Sequence, residues 1–193
     1  MSERAGERGF TLVEMMVVVA IVGVLAALGV NGVSKYIAAA KATEARNALG
    51  QMAKDASSAY DRGITSGGIV ALGDSGEVSA RICPTAAWPI PGGSEAIQGK
   101  KYQSGPAEWN DGAGWSCLKF MMKDPQYFQY YFAATPDAGG SENGDQFDAI
   151  ARGDLNGDGV LSRFDLFGQI QQEEGAGAVL TIAPNISETN PEE

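Results

Sequence analysis

The chain has 193 residues, 24 acidic against 14 basic, a formal net charge of −10 and no histidine. Ser-His-Asp and Cys-His nucleophiles and His-ligated zinc are therefore excluded. The acidic balance argues against a general nucleic-acid footprint, while it leaves cation binding open.

The length suits one domain plus an anchor. If the segment after Val30 is exported, its compartment is oxidising and a disulfide between Cys83 and Cys117 is expected. In the chain-entropy model such a bridge contributes roughly 3–4 kcal/mol. Two reduced, buried thiols are the alternative.

The stretch "RGFTLVEMMVVVAIVGVLAALGV" runs from Arg8 to Val30. From Phe10 it offers about 21 mostly apolar residues, enough for a helix to cross about 30 Å of hydrocarbon. One carboxylate, Glu14, sits near its start, and a charge at the centre of a span costs about 2.5–3.5 kcal/mol. Such residues mark function, and a partner is to be sought. A secretory signal peptide has a shorter apolar core of about 7–15 residues followed by a small-residue cleavage site. Here the run is longer and continues as a helical pattern. An ordinary anchor helix leaves both Glu14 and the Gly9–Phe10 junction unexplained.

"RGFTLVEMMVVVAIVGVLAA" resembles the prepilin signature shared by type IV pilins and type II secretion pseudopilins. The resemblance implies a leader, residues 1–9, cut by a prepilin peptidase between Gly9 and Phe10 on the cytoplasmic side. The same enzyme would then N-methylate Phe10. The leader is short, and its side chains balance, Arg4 and Arg8 against Glu3 and Glu7. Glu14 becomes the fifth residue of the mature chain, and the resemblance implies that it pairs with the Phe10 amine of a neighbouring subunit. An amine and a carboxylate attract strongly at low dielectric, whereas each alone is costly there.

The same reading divides the remainder into a membrane or filament-core half of one helix, 10–32, an amphipathic half, 33–63, and a β-sheet head, 64–193. Many type IV pilins carry a proline near the end of the apolar run. Here "LGVNGV" stands instead, and its Gly29, Asn31 and Gly32 weaken a helix by up to about 1 kcal/mol each. Val33, Tyr36, Ile37, Ala40, Ala45, Ala48, Leu49, Met52, Ala56 and Tyr60 then recur at spacings of three or four, which predicts one apolar stripe. Lys35, Lys41, Glu44, Arg46 and Lys54 lie off it, and Gly63 is the expected stop.

Beyond Gly63 the chain turns rich in Gly, Pro and Ser. "SGGIVALGDSGEVSA" reads as loop or short strands, "CPTAAWPIPGG" as irregular, and "GPAEWNDGAGWSCLKF" as turns. Trp109 and Trp115 are expected to pack around the proposed bridge. Strands are expected at 126–134, 145–153, 161–170 and 178–184, with Phe164 and Leu166 inward and Arg163 and Asp165 outward. Short strands joined by turns suggest an antiparallel sheet packed on the amphipathic helix. The tail "NISETNPEE" reads as frayed.

"DLNGDGVLSRFD", 154–165, resembles the start of an EF-hand calcium loop. Its candidate ligands are Asp154, Asn156, Asp158, Val160 and Asp165. Its flanks read as strands, and a plain hairpin turn uses the same Asn-Gly and Asp-Gly pairs.

The expectation is an α+β, pilin-like lollipop: one long N-terminal helix on a small antiparallel sheet, with no required cofactor and calcium as the one candidate ion. Its function would be polymerisation with copies of itself into a surface pilus serving adhesion, twitching motility or DNA uptake. Implied partners are the prepilin peptidase, the inner-membrane assembly platform and the membrane itself, with no nucleic-acid site. The subunit would reside in the inner membrane before assembly and outside the cell afterwards. A secretion pseudopilin is the first alternative. A membrane-tethered enzyme built on Asp145, Asp148 and Asp154 is a remote one.

Overall fold

The computed structural model describes residues 9–65, 78–110, 112–172, 175 and 177–193. The leader up to residue 8 and most of the 66–80 stretch lie outside them. The chain divides into two compact units, Met1–Ile37 and Ala38–Glu193.

In the first unit, helix α1 (Leu12–Arg62) begins with a reciprocal cap. Glu14 N–H donates to Thr11 Oγ1 at 3.3 Å, and Thr11 N–H donates to Glu14 Oε2 at 2.8 Å. This is a capping box, which satisfies two of the donors a helix start leaves orphaned. The apolar side chains that follow, Leu12 through Val30, are exposed. α1 stays helical through residues 29–32, where a weakened stretch was expected.

In the second unit α1 buries Ala42, Ala45, Ala48, Leu49, Met52, Ala53, Ala56, Ala59 and Tyr60. The expected stripe holds from Ala45 onward, but Val33, Tyr36, Ile37 and Ala40 are exposed, and Ala42, Ala53 and Ala59 join the buried face. Periodicity locates a stripe without saying which part of it has anything packed on it. Gly63 ends the helix at φ +68, its N–H donating to Tyr60 O at 3.1 Å. Only glycine adopts that conformation without a Cβ penalty.

Strands β1 (Ile64–Thr65) and β2 (Val78–Ser79) pair antiparallel. A disulfide-closed region follows, with 3₁₀ turns at Ser94–Ile97 and Glu108–Asn110 and a short helix α2 (Ala113–Leu118). The turn-rich reading of 105–120 missed α2. The main sheet holds β3 (Phe128–Thr135), β4 (Gln146–Gly153), β5 (Ser162–Gln171), β6 (Val179–Ile182) and β7 (Ser187–Thr189). It runs β3-β4-β5-β6, with β7 also pairing with β5, all antiparallel. Four of these strands lie where the sequence signals put them. β7 corrects the reading of a frayed tail. It ladders against Arg163–Asp165, and Glu188 takes two hydrogen bonds from Arg46 at 2.7 and 2.9 Å.

The core face of the sheet pairs large with small. Phe128 stands opposite Gly153, Tyr130 opposite Ala151, Phe132 opposite Ala149, and Phe147 opposite both Ala134 and Gly168. Alanines on α1 give these rings depth. A Cβ at Gly168 would run into the buried Phe147 ring, which stacks on Phe132 at 5.2 Å. Gly168→Ala is therefore expected to destabilise the fold by about 1–3 kcal/mol through overpacking. Urea unfolding checks this, and Gly177→Ala, with open space around its Cα, is the control.

Candidate functional site

The N-terminal segment concentrates the chemistry that the sequence singles out. Among the described residues nothing lies within 4 Å of where a Cβ at Gly9 would stand. Phe10 is 83% exposed and lies just ahead of the helix. Glu14 sits in the first turn, where an acidic residue also suits the helix dipole. Its Oε2 accepts from both Thr11 N–H and Thr11 Oγ1, each at 2.8 Å. Thr11 thus aims and rigidifies the carboxylate. Sequence reasoning passed over Thr11, although Thr-x-x-Glu before an apolar run is a recognisable signal.

In the head a second glutamate joins α1 to the sheet. Glu44 accepts from Tyr127 N–H at 2.8 Å and from the Tyr130 hydroxyl at 3.2 Å. Burial raises its pKa, partly offset by those bonds and by Lys101. Burial and the Glu44 charge together push the Tyr130 hydroxyl well above its ordinary value. Lys41 and Lys101 each sit over the Tyr127 ring, at 4.7 and 4.6 Å. Nothing in the local sequence pairs residue 44 with residues more than 80 positions away.

Cys83 and Cys117 form the expected disulfide, with Cα atoms 5.7 Å apart. Trp109, Trp115 and Phe120 cluster at 5.0–6.2 Å, and both Trp residues are buried. Their indole N–H groups donate to Ser104 Oγ and Trp88 O, so they are packing residues with satisfied polar tips.

Of the candidate calcium ligands, the loop brings together Asp154, Asn156, Asp158 and the Val160 backbone. Fully buried Asp154 accepts from Gly157 N–H at 2.6 Å and Gly159 N–H at 2.9 Å. Asn156 Oδ1 accepts from Asp158 N–H, and Asp158 Oδ1 from Val160 N–H, both at 2.8 Å. Asp165 is not among them. It lies within β5, opposite Ile150, with its carboxylate held by Arg163 at 2.7 Å. Among the described residues no group of three or more His, Cys, Asp or Glu is arranged to hold a metal ion. The arrangement does not fit the five-residue set, because strand pairing carries the twelfth position away.

Asp145 and Asp148, two further carboxylates that the sequence singles out, lie beside and within β4. Asp145 Oδ2 accepts from Glu142 N–H at 2.8 Å. Asp148 lies on the outer face of β4 with a buried, unpartnered Oδ1. Its pKa is raised to about 6, by burial first and then by Asp165, with Arg163 opposing. The unfolded value is about 3.9, so the folded chain holds this proton more tightly. The stability gained is fully present below about pH 3.9 and is lost as pH rises through about 6. Asp148→Asn is expected to raise Tm by about 2–3 °C at pH 7. That gain should vanish below about pH 4, which melts across a pH series would show.

A family model described as the prokaryotic N-terminal methylation motif matches residues 4–30. The fimbrial protein EcpC of Eikenella corrodens is 31% identical over 127 residues, covering 58% of this chain and 82% of that protein. The type IV major fimbrial protein FimA of Dichelobacter nodosus is 44% identical over 46 residues, 24% of this chain and 30% of FimA. No solved structure matches. An apolar N-terminal helix under a methylation motif, together with these fimbrial relatives, defines a fimbrial subunit. The chain belongs to the type IV pilin family.

Proposed function

We propose that this pilin is the structural subunit of a surface pilus, polymerising through its N-terminal helix. The observation that carries the reading is the exposed apolar face of α1 from Leu12 to Val30, headed by a carboxylate that Thr11 holds in place. Before assembly the lipid bilayer covers that face. In the filament the same helices of neighbouring copies cover it. Prepilin peptidase cuts between Gly9 and Phe10 and methylates Phe10. The new amine, still positive, meets Glu14 of a neighbour, and the inner-membrane platform feeds subunits into the filament. Fimbrial proteins as relatives favour this reading over a secretion pseudopilin.

The test is intact mass and N-terminal sequence of protein sheared from cells. Chains starting at methylated Phe10 in that fraction are expected. Processed chains confined to the envelope would favour the pseudopilin, and an uncleaved leader would overturn both.

For the 154–165 loop we infer a self-capped turn without a calcium requirement, since Asp154 caps two backbone N–H groups and Asp165 is engaged elsewhere. Millimolar calcium is expected to move Tm by less than about 1 °C; a rise of about 5 °C or more would establish a binding site.

A further inference from the structure

The outer face of the sheet, opposite the core, carries a hollow of about 150 Å³ lined by Pro89, Gln129, Tyr131, Ile150 and Arg152. Small-molecule sites run to about 300–1,000 Å³, so this one takes a single side chain. Its charge is unbalanced. Arg152 stands directly across the ladder from Arg163, and like charges so placed destabilise a sheet. Arg163 is neutralised by Asp165 at 2.7 Å. Half-buried Arg152 has no hydrogen-bond or ion-pair partner among the described residues. Gln129 Nε2 donates to Pro91 O at 2.7 Å, and its neutral amide offers Arg152 no countercharge. Trp88, the residue before Pro89, is 65% exposed although large and apolar. Arg, Tyr and Trp are the residue types that dominate interface hot spots.

We propose that this hollow receives a carboxylate side chain from the head of a second copy of this chain, which completes Arg152 and fixes head-to-head register. The inference rests on the filament reading above. A second copy is the occupant that the charges favour, because the chain's 24 acidic residues against 14 basic leave it an excess of carboxylates to present. A guanidinium with no partner among the described residues, set beside another guanidinium, costs the subunit stability, and an arriving carboxylate recovers it. Arginine's fork holds that carboxylate in one orientation, which a lysine does not match.

The experiment compares full-length wild type with Arg152→Ala, Arg152→Lys and Arg152→Glu. It reads sheared filament yield, the salt concentration at which filaments dissociate, and Tm of the subunit. Expected are an unchanged or slightly raised Tm for Arg152→Ala and filament yield reduced at least about fivefold. Loss should be deepest for Arg152→Glu and partial for Arg152→Lys. Wild-type yield and salt tolerance in Arg152→Ala and Arg152→Glu would overturn the proposal while leaving the pilin reading intact. So would a Tm fall of several degrees in Arg152→Ala, which would make the residue an internal stabiliser. Failure of the filament reading itself would show as wild-type cells yielding no sheared filament of this chain.

Discussion

Glu14→Gln leaves the start of α1 capped and abolishes filament recovery. Glutamine at the third helical position still reaches back to the Thr11 N–H, so the capping box survives. What disappears is the negative charge. In the proposed filament that charge meets the Phe10 amine of a neighbour in an apolar environment, where a cation left unpaired costs about 3–5 kcal/mol. A loss of that size at every subunit contact corresponds to a drop in filament yield of about 100-fold or more. Subunit abundance in the membrane should stay within about twofold, since the head does not depend on residue 14. Glu14→Asp separates the two roles further. It keeps the charge but shortens the reach by one methylene, so it should assemble poorly rather than not at all. Thr11→Ala keeps the carboxylate and removes the Oγ1 contacts, which costs about 1 kcal/mol of capping and leaves the charge free to swing. Quantifying sheared filament against whole-cell subunit settles the order. Wild-type yields from Glu14→Gln would reduce residue 14 to a helix cap.

Features written in local spacing were legible in the sequence. Alternation in 161–170 reports which face of a strand is buried, because the side-chain period is 2, and apolar or aromatic runs between turn residues place 126–134, 145–153 and 178–184. The stop at Gly63 follows from its conformational freedom, and Gly9, Phe10 and Glu14, the residues proposed above to act in processing and assembly, lie together in one short segment. Long-range partnership was not legible. The stripe on α1 was drawn from Val33, yet burial begins at Ala42, because period alone does not reveal where the covering sheet stops. The tail looked frayed by its charge, yet Glu188 is an ion-pair partner of Arg46 and its strand pairs with β5. The calcium reading counted twelve positions along the chain. That count does not reveal that β5 pairs with β4 from Ser162 onward, which places Asp165 in the ladder beside Arg163.

Removing the disulfide as Cys83→Ala/Cys117→Ala is expected to cost about 3–4 kcal/mol, a fall in Tm of about 10 °C. The bridge spans 34 residues, and opening a loop of that length returns chain entropy to the unfolded state. The loss should fall unevenly over the head. The segment after Cys83 is tied to β3 without the bridge. Thr85 Oγ1 accepts from Ala134 N–H at 2.8 Å, Ala86 N–H donates to Phe132 O at 2.9 Å, and Ile90 exchanges two hydrogen bonds with Tyr130. On the other side, α2 has six residues and relies on Trp109, Trp115 and Phe120 for its packing. A helix that short does not hold itself together. Hydrogen exchange in the double variant should therefore speed up most over 113–120, while β3, β4 and β5 keep their protection relative to the lowered global stability. A uniform loss across sheet and loop would mean that the bridge supports the whole core. An unchanged Tm would mean that the unfolded chain is already compact enough for the cross-link to constrain little.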